Sequence, residues 1–194
     1  VGYTALIMAS WRDSIESIKL LIDAGADLNL WNSKGNTALM MASVRGHVES
    51  VKLLIGAGAD LNHRDKDGYT ALMMASLHGN TESIKLLIEA GADLNHRDRN
   101  GNTALMIASR LNIVESATLL IEAGADFNIS DKDGYTALRI ASRDNHFEIV
   151  KLLIDAGADL NLQDSKGNTA LIMASFWGRV ESVKLLIDAG ADLN

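Results

Sequence analysis

The sequence predicts an all-helical solenoid made of six stacked copies of one short unit, and three observations carry that prediction. Glycine returns every 33 residues, at Gly2, Gly35, Gly68, Gly101, Gly134 and Gly167, each opening the phrase Gly-(Tyr or Asn)-Thr-Ala-Leu. A second series keeps the same step: Gly25, Gly58, Gly91, Gly124, Gly157 and Gly190 lie inside Ala-Gly-Ala-Asp-(Leu or Phe)-Asn. Between the two series run short apolar segments with helical spacing, such as Ile84, Leu87 and Ile88 with Glu82 and Lys85 turned outward. A fixed period of this size marks units that cannot bury their apolar faces alone and must stack to make a core. The unbroken period predicts one domain over 1–194, with repeats 1–34, 35–67, 68–100, 101–133, 134–166 and 167–194.

Each element of the unit has a local cause. A turn such as Asp65-Lys66-Asp67-Gly68 opens it, the glycine relieving a strain that a Cβ would create. Thr4, Thr37, Thr70, Thr103, Thr136 and Thr169 follow as N-caps, each offering a hydroxyl to an orphan amide of a first helix like Ala71–Ser76. That helix breaks at Asp13, Gly46, Gly79, Asn112, Asn145 and Gly178, a restriction to Gly, Asn and Asp that predicts a left-handed backbone. A second helix, typified by residues 82–88, then runs to its stop at the second glycine series. Both helices are shorter than the roughly 12 to 15 residues an isolated helix needs, so neighbouring repeats must hold them. In repeat four, Ala117 and Thr118 replace the Val or Ile and the Lys of most other copies and Phe127 replaces Leu, which predicts the weakest interior repeat interface there.

Six in-register copies of Gly-x-Thr-x-Leu, most with Lys-Leu-Leu, each followed by Gly-Ala-Asp-x-Asn, resemble the ankyrin repeat over the whole chain. The resemblance implies beta-turn/helix-turn-helix units and partner recognition on a concave face formed by the turns and first helices. One departure is that the family's Thr-Pro-Leu-His becomes Thr-Ala-Leu-(Met, Ile or Arg), replacing polar links with packing. Arg139 stands alone at that site, and the reading preferred is a packed stem with its head reaching solvent, over a pair with an acid of a neighbouring repeat. No polar capping repeat is evident, so the ends are expected to continue a longer array or to stack on other molecules. Resemblance also implies asparaginyl hydroxylation at Asn62, Asn95 and Asn161, each with a leucine eight residues before it, at Leu54, Leu87 and Leu153.

Composition narrows the function classes. At 47% apolar residues and a mean hydropathy of +0.07 the chain has material for a continuous core. Without cysteine there are no disulfides and no thiolate zinc sites. The longest apolar runs are too short for a membrane span and no signal peptide is evident, so a soluble chain of the cytoplasm is expected, without membrane contact. Catalysis needs a unique constellation, whereas nearly every Ser, Asp and Thr recurs in every copy; no enzyme activity, no cofactor and no metal are expected. His47, His63, His78, His96 and His146 lack close ligand spacing and read as surface histidines. Gly56-Ala57-Gly58 ends a helix where phosphate binding needs one to begin.

Function must lie where the copies differ. Those positions are the ends of the first helices and the turns, and they carry Trp, Tyr and Arg, the residue types of interface hot spots. The candidate partner-binding residues are Tyr3, Trp11, Arg12, Trp31, Arg45, Arg64, Tyr69, His78, Arg97, Arg99, Arg110, Tyr135, Arg143, Phe176 and Trp177. Counted with Lys34, Lys66, Lys132 and Lys166, this face holds 11 cations against 7 acids (Asp65, Asp67, Asp98, Asp131, Asp133, Asp144 and Asp164) in a chain of net charge -7. A basic groove on an acidic chain favours an acidic protein partner. A sequence pI near 5.1 and the interspersed aspartates argue against nucleic acid. The rival expectation is a structural array that self-assembles end to end.

Overall fold

The computed structural model describes residues 2–194. Among them are twelve α-helices and no strand, arranged as six helix pairs: α1 (Ala5–Trp11) with α2 (Ile15–Asp23), α3 (Ala38–Arg45) with α4 (Val48–Gly56), α5 (Ala71–His78) with α6 (Thr81–Glu89), α7 (Ala104–Arg110) with α8 (Val114–Glu122), α9 (Ala137–Asp144) with α10 (Phe147–Asp155), and α11 (Ala170–Phe176) with α12 (Val180–Asp188). The chain forms two compact units, Val1–Arg99 and Asn100–Asn194. Within the first, α1, α3 and α5 pack in one row and α2, α4 and α6 in another; the second repeats the scheme with α7, α9 and α11 beside α8, α10 and α12.

The cap and break positions read from the sequence are found in place. All six threonine hydroxyls accept a hydrogen bond from the backbone N–H three residues on, as Thr4 does from Ile7 at 3.1 Å and Thr37 from Met40 at 3.3 Å. The first helices end on a left-handed residue, with φ of 57° at Asp13, 56° at Asn112 and 64° at Asn145 beside Gly46, Gly79 and Gly178. Each helix extends a little beyond its sequence pattern, α5 reaching His78 and α6 running from Thr81 to Glu89. Leu39, Leu54, Ile84 and Leu87 are fully buried, and each such side chain stabilises by about 1.5 to 3 kcal/mol. Ala117 is equally buried in repeat four, so that site offers less apolar surface than Val51 or Ile84 in the first unit.

Two features hold successive turns at a fixed spacing. A Cβ on Gly35 would lie 2.8 Å from the Lys66 nitrogen, and one on Gly68 would lie 2.9 Å from that of Arg99. Only glycine permits that approach, and both also have φ near +90° (+91° and +87°). The approach lets Lys66 N–H donate to the Lys34 carbonyl at 3.1 Å and Arg99 N–H to the Asp67 carbonyl at 2.9 Å. On the other edge, four of the asparagines that end the Ala-Asp-x-Asn phrases link forward. Asn29 and Asn62 Oδ1 each accept from the N–H of Asp60 and Asp93 at 2.9 Å in the first unit, and Asn128 and Asn161 do the same for Asp159 and Asp192 in the second, at 3.0 and 2.9 Å.

Arg139 corrects the sequence reading. Its head does not reach solvent: the side chain is 1% exposed, and Nη2 donates to Asp164 Oδ2 at 2.7 Å. Nη1 donates to the Gly134 carbonyl, and the guanidinium lies 4.7 Å from the Tyr135 ring centroid. The reason is geometric, because the turn after α9 and α10 brings Asp164 over the start of α9, where an arginine is long enough to meet it. Burial disfavours the Asp164 charge, yet its carboxyl is held well below the usual carboxylate range by the Asn168 side-chain amide, the N–H groups of Asn168 and Lys166, and the Arg139 charge.

Candidate partner-binding face

In each unit the turns and the first helices share one side, and that is where the copies vary. The turns are held by one side chain each. Asp65 Oδ1 accepts from the N–H groups of Asp67 and Tyr69 at 2.9 and 2.8 Å, Asp131 from those of Asp133 and Tyr135, Asp164 from those of Lys166 and Asn168, and Asn32 takes the same place in the first such turn. These acids are therefore not surface charges in the sense the sequence suggested. Asp98 is 5% exposed, and the Asp131 and Asp164 side chains are 8% and 7% exposed. Asp65, Asp131 and Asp164 are turned into the backbone they organise, while Arg64, Lys66, Arg97, Arg99, Lys132 and Lys166 nearby are exposed.

In the first unit, Tyr3 (58% exposed) and Trp31 (50% exposed) stand out from their turns. Trp11 at the end of α1 is half-buried and carries the Arg45 guanidinium of α3 4.4 Å from its ring centroid. Trp31 stacks on His63 at 5.3 Å between centroids. Tyr69 is half-buried; Arg12, Arg45, Arg64, His78, Arg97 and Arg99 are exposed. Among the described residues, Arg12, Lys34, Arg45, Arg64, Lys66 and Arg99 form no ion pair. A cleft of about 510 Å³ opens on this side, lined by Tyr3, Met8, Trp11, Lys34, Asn36, Met41 and Val44. Sequence reasoning missed Met8 and Met41 because their series, with Met74, Ile107 and Ile140, reads as core, and Met41 is indeed buried whereas Met8 is 41% exposed.

In the second unit the arginines have internal partners. Arg110 Nη2 donates to Asn102 Oδ1 at 2.9 Å and lies 3.8 Å from Asp131 Oδ2. Arg143 grips Asp144 with two bonds, Nε at 2.7 Å and Nη2 at 2.8 Å, and its guanidinium lies 5.3 Å from the Tyr135 ring. The hydrogen bond to Asp144 raises the Arg143 pKa; for Asp144, burial is outweighed by Arg143, so its carboxyl falls below the ordinary value. Tyr135 is half-buried, and Phe176 (77% exposed) meets Trp177 (50% exposed) edge to face at 5.3 Å.

The remaining candidates fall elsewhere. Asn62, Asn95 and Asn161 are exposed in the loops after α4, α6 and α10. The histidines are not simply surface residues. His47 Nε2 contacts the Trp11 carbonyl at 3.2 Å and His146 Nδ1 that of Ser109 at 2.8 Å, each tying one repeat to the previous one, while His63 Nε2 meets the Gly35 carbonyl of its own repeat at 3.1 Å. His96 is held below the ordinary imidazole range by burial and the Arg64 charge, against Asp93 and Asp98. No group of three or more His, Asp or Glu among the described residues is placed to hold a metal ion, and no helix is long and apolar enough to cross a membrane.

Paired short helices, threonine caps, glycine-tight turns and a variable turn face define a helical repeat protein of the kind that works as a recognition scaffold. The ankyrin-repeat model matches three times, over residues 1–65, 46–131 and 118–194, and the chain belongs to the ankyrin-repeat family. No curated protein matches it significantly. Among solved structures it is similar to an ankyrin repeat domain from Acinetobacter baumannii, at 35% identity and a TM-score of 0.90, covering 96% of this chain and 98% of that one. It is also similar to the ankyrin repeat domain of Bcl-3, a member of the IkappaB protein family, at 32% identity and a TM-score of 0.92, covering 98% of this chain and 88% of that one. Ankyrin repeats are in general protein-interaction modules and typically non-enzymatic.

Proposed function

We propose that this chain is a non-enzymatic scaffold that binds a protein partner with an acidic surface through its turn and first-helix side. One observation carries the reading: on the first unit, cations without internal ion pairs stand beside exposed aromatic residues, with Arg45 stacked on Trp11. Unpaired guanidinium groups on a rigid row of turns attract carboxylates over distance and orient the encounter, and Trp, Tyr and Arg supply contact area once the partner has docked. The test is affinity capture with the wild-type chain beside an Arg64→Glu/Arg99→Glu variant of equal thermal stability. Partners retained by the wild type and lost from the variant support the reading; an unchanged set of partners refutes it.

A second reading, self-assembly, draws on a different observation. Leu20 of α2 is 69% exposed, and Ile172, Phe176, Val180, Ile187 and Leu193 around α11 and α12 are 43 to 77% exposed, more apolar surface than scattered single residues give. Sedimentation over a wide concentration range decides between the two: a concentration-independent monomer removes self-assembly.

A further inference from the structure

We infer that the cleft between the first two turns and helices α1 and α3 is an anchor pocket for one large apolar side chain of an acidic peptide segment in a partner protein. The inference rests on the proposed recognition function and adds where the partner is gripped and by what chemistry. The walls are apolar and adaptable: Met8 and Met41 carry thioether side chains that reshape around different occupants, Val44 lies beside them, and the Tyr3 and Trp11 rings supply flat surfaces. At about 510 Å³ the cleft is of the size that takes a side chain and its neighbouring backbone. Lys34 and Asn36 also line it, so a chain entering it meets a cation and an amide able to bind a carboxylate or a peptide group.

The charge around the cleft selects the occupant. On the turn and first-helix side of this unit, Arg12, Lys34, Arg45, Arg64, Lys66, Arg97 and Arg99 stand with Asp13, Asp65, Asp67 and Asp98, of which Asp13 accepts from the Ser50 hydroxyl and Asp98 is buried. Seven cations against four acids make this the basic part of an otherwise acidic protein. The corresponding side of the second unit has Arg110, Lys132, Arg143 and Lys166 against Asp131, Asp133, Asp144 and Asp164, and so has no excess. Arg45 adds a local restraint: stacked 4.4 Å from the Trp11 centroid, it holds the ring as a wall of the cleft while keeping its own charge exposed. An apolar anchor flanked by carboxylates satisfies both the cleft and its surroundings, whereas a basic or uncharged peptide satisfies only the first.

Random peptides displayed on phage and selected against the whole chain provide the test. The expected binders combine clustered Asp or Glu with one large apolar residue; changing that residue to Ala, or Met8→Glu or Val44→Glu in the protein, weakens each by about tenfold or more. Met8 and Val44 are not fully buried, and thermal melts confirm that the variants fold. Binders that lack acids, a selection that yields none, or affinities unmoved by both cleft variants overturn the inference. If the cleft variants are harmless but Arg64→Glu/Arg99→Glu still weakens binding, the pocket is wrong and the recognition face stands; if neither set matters, the face itself is wrong. Concentration-dependent dimers abolished by Met8→Glu would assign the cleft to a second copy of this chain and also overturn the inference.

Discussion

The first and second units are built from the same repeat, yet they treat their charges in opposite ways. In the first, Arg12, Arg45, Arg64 and Arg99 point outward with no acid engaged, and one of them stacks on a tryptophan. In the second, Arg110 lies near Asp131, Arg143 grips Asp144 and Arg139 is buried against Asp164. A guanidinium already bonded within the protein must break that bond to meet a partner, so its net gain on binding is small. The difference teaches that the number of arginines on a repeat surface says less about recognition than whether the scaffold has already used them.

The largest effect that this contrast predicts is on stability. Asp164→Ala removes both the acceptor that holds its turn and the partner of a buried guanidinium, and is expected to destabilise by about 3 to 5 kcal/mol in denaturant melts. Arg139→Met should do less harm, within about 1 kcal/mol, because Asp164 keeps its Asn168 and Lys166 donors and the same Met-over-Asp combination already stands at Met106 and Asp131. A loss of several kcal/mol from Arg139→Met would show that the pair itself is indispensable. The pH dependence follows in sign. With its folded pKa depressed, Asp164 contributes stability that is complete above the unfolded value of about 4 and is lost as the pH falls below it, because the unfolded chain binds the proton first. Asp164→Asn should flatten that acid limb.

Next in size is binding. For peptides selected on the whole chain, Arg64→Glu/Arg99→Glu should weaken affinity about tenfold and reduce its salt dependence, whereas Lys132→Glu/Lys166→Glu in the second unit should change it about threefold or less. Equal losses from the two pairs would erase the distinction between the units. A smaller difference is expected in amide exchange. With Ala117 where Val51 and Ile84 stand in the first unit, α7 and α8 should open at a free energy about 1 kcal/mol below α3 to α6, and equal protection would refute it. Smallest of all, Arg64→Ala should move the His96 imidazole pKa upward in an NMR titration, since the Arg64 charge is one of the two influences that lower it. A downward move would contradict the assigned neighbourhood.

Much of this was legible in the sequence because the determinants are local. The N-cap threonines and the left-handed Asp13, Asn112 and Asn145 act through bonds within a few residues, and the 33-residue period repeats them until chance is excluded. What sequence hid depends on contacts between residues far apart in the chain. Arg139 meets an acid 25 positions on, Asn62 an amide 31 positions on, and nothing in either residue's neighbourhood in sequence announces the encounter. The turn aspartates were visible as residues but not as inward-facing acceptors; the excess of cations on the first unit could be counted from the sequence, whereas the burial of Asp98 could not. The cleft was hidden for a further reason: Met8 and Met41 belong to one apolar series, and only stacking decides that the first is exposed and the second is not.

The forward links from Asn29, Asn62, Asn128 and Asn161 have a mechanical consequence. Each fastens one repeat to the next by a bond of the same type and nearly the same length, so within a unit tension applied along the chain meets a series of similar fasteners with no single strong clamp. Such a series yields stepwise, each step releasing one repeat of 33 residues and lengthening the tether by about 100 Å. A partner seated across two turns would hold neighbouring fasteners closed together, turning two small steps into one larger one.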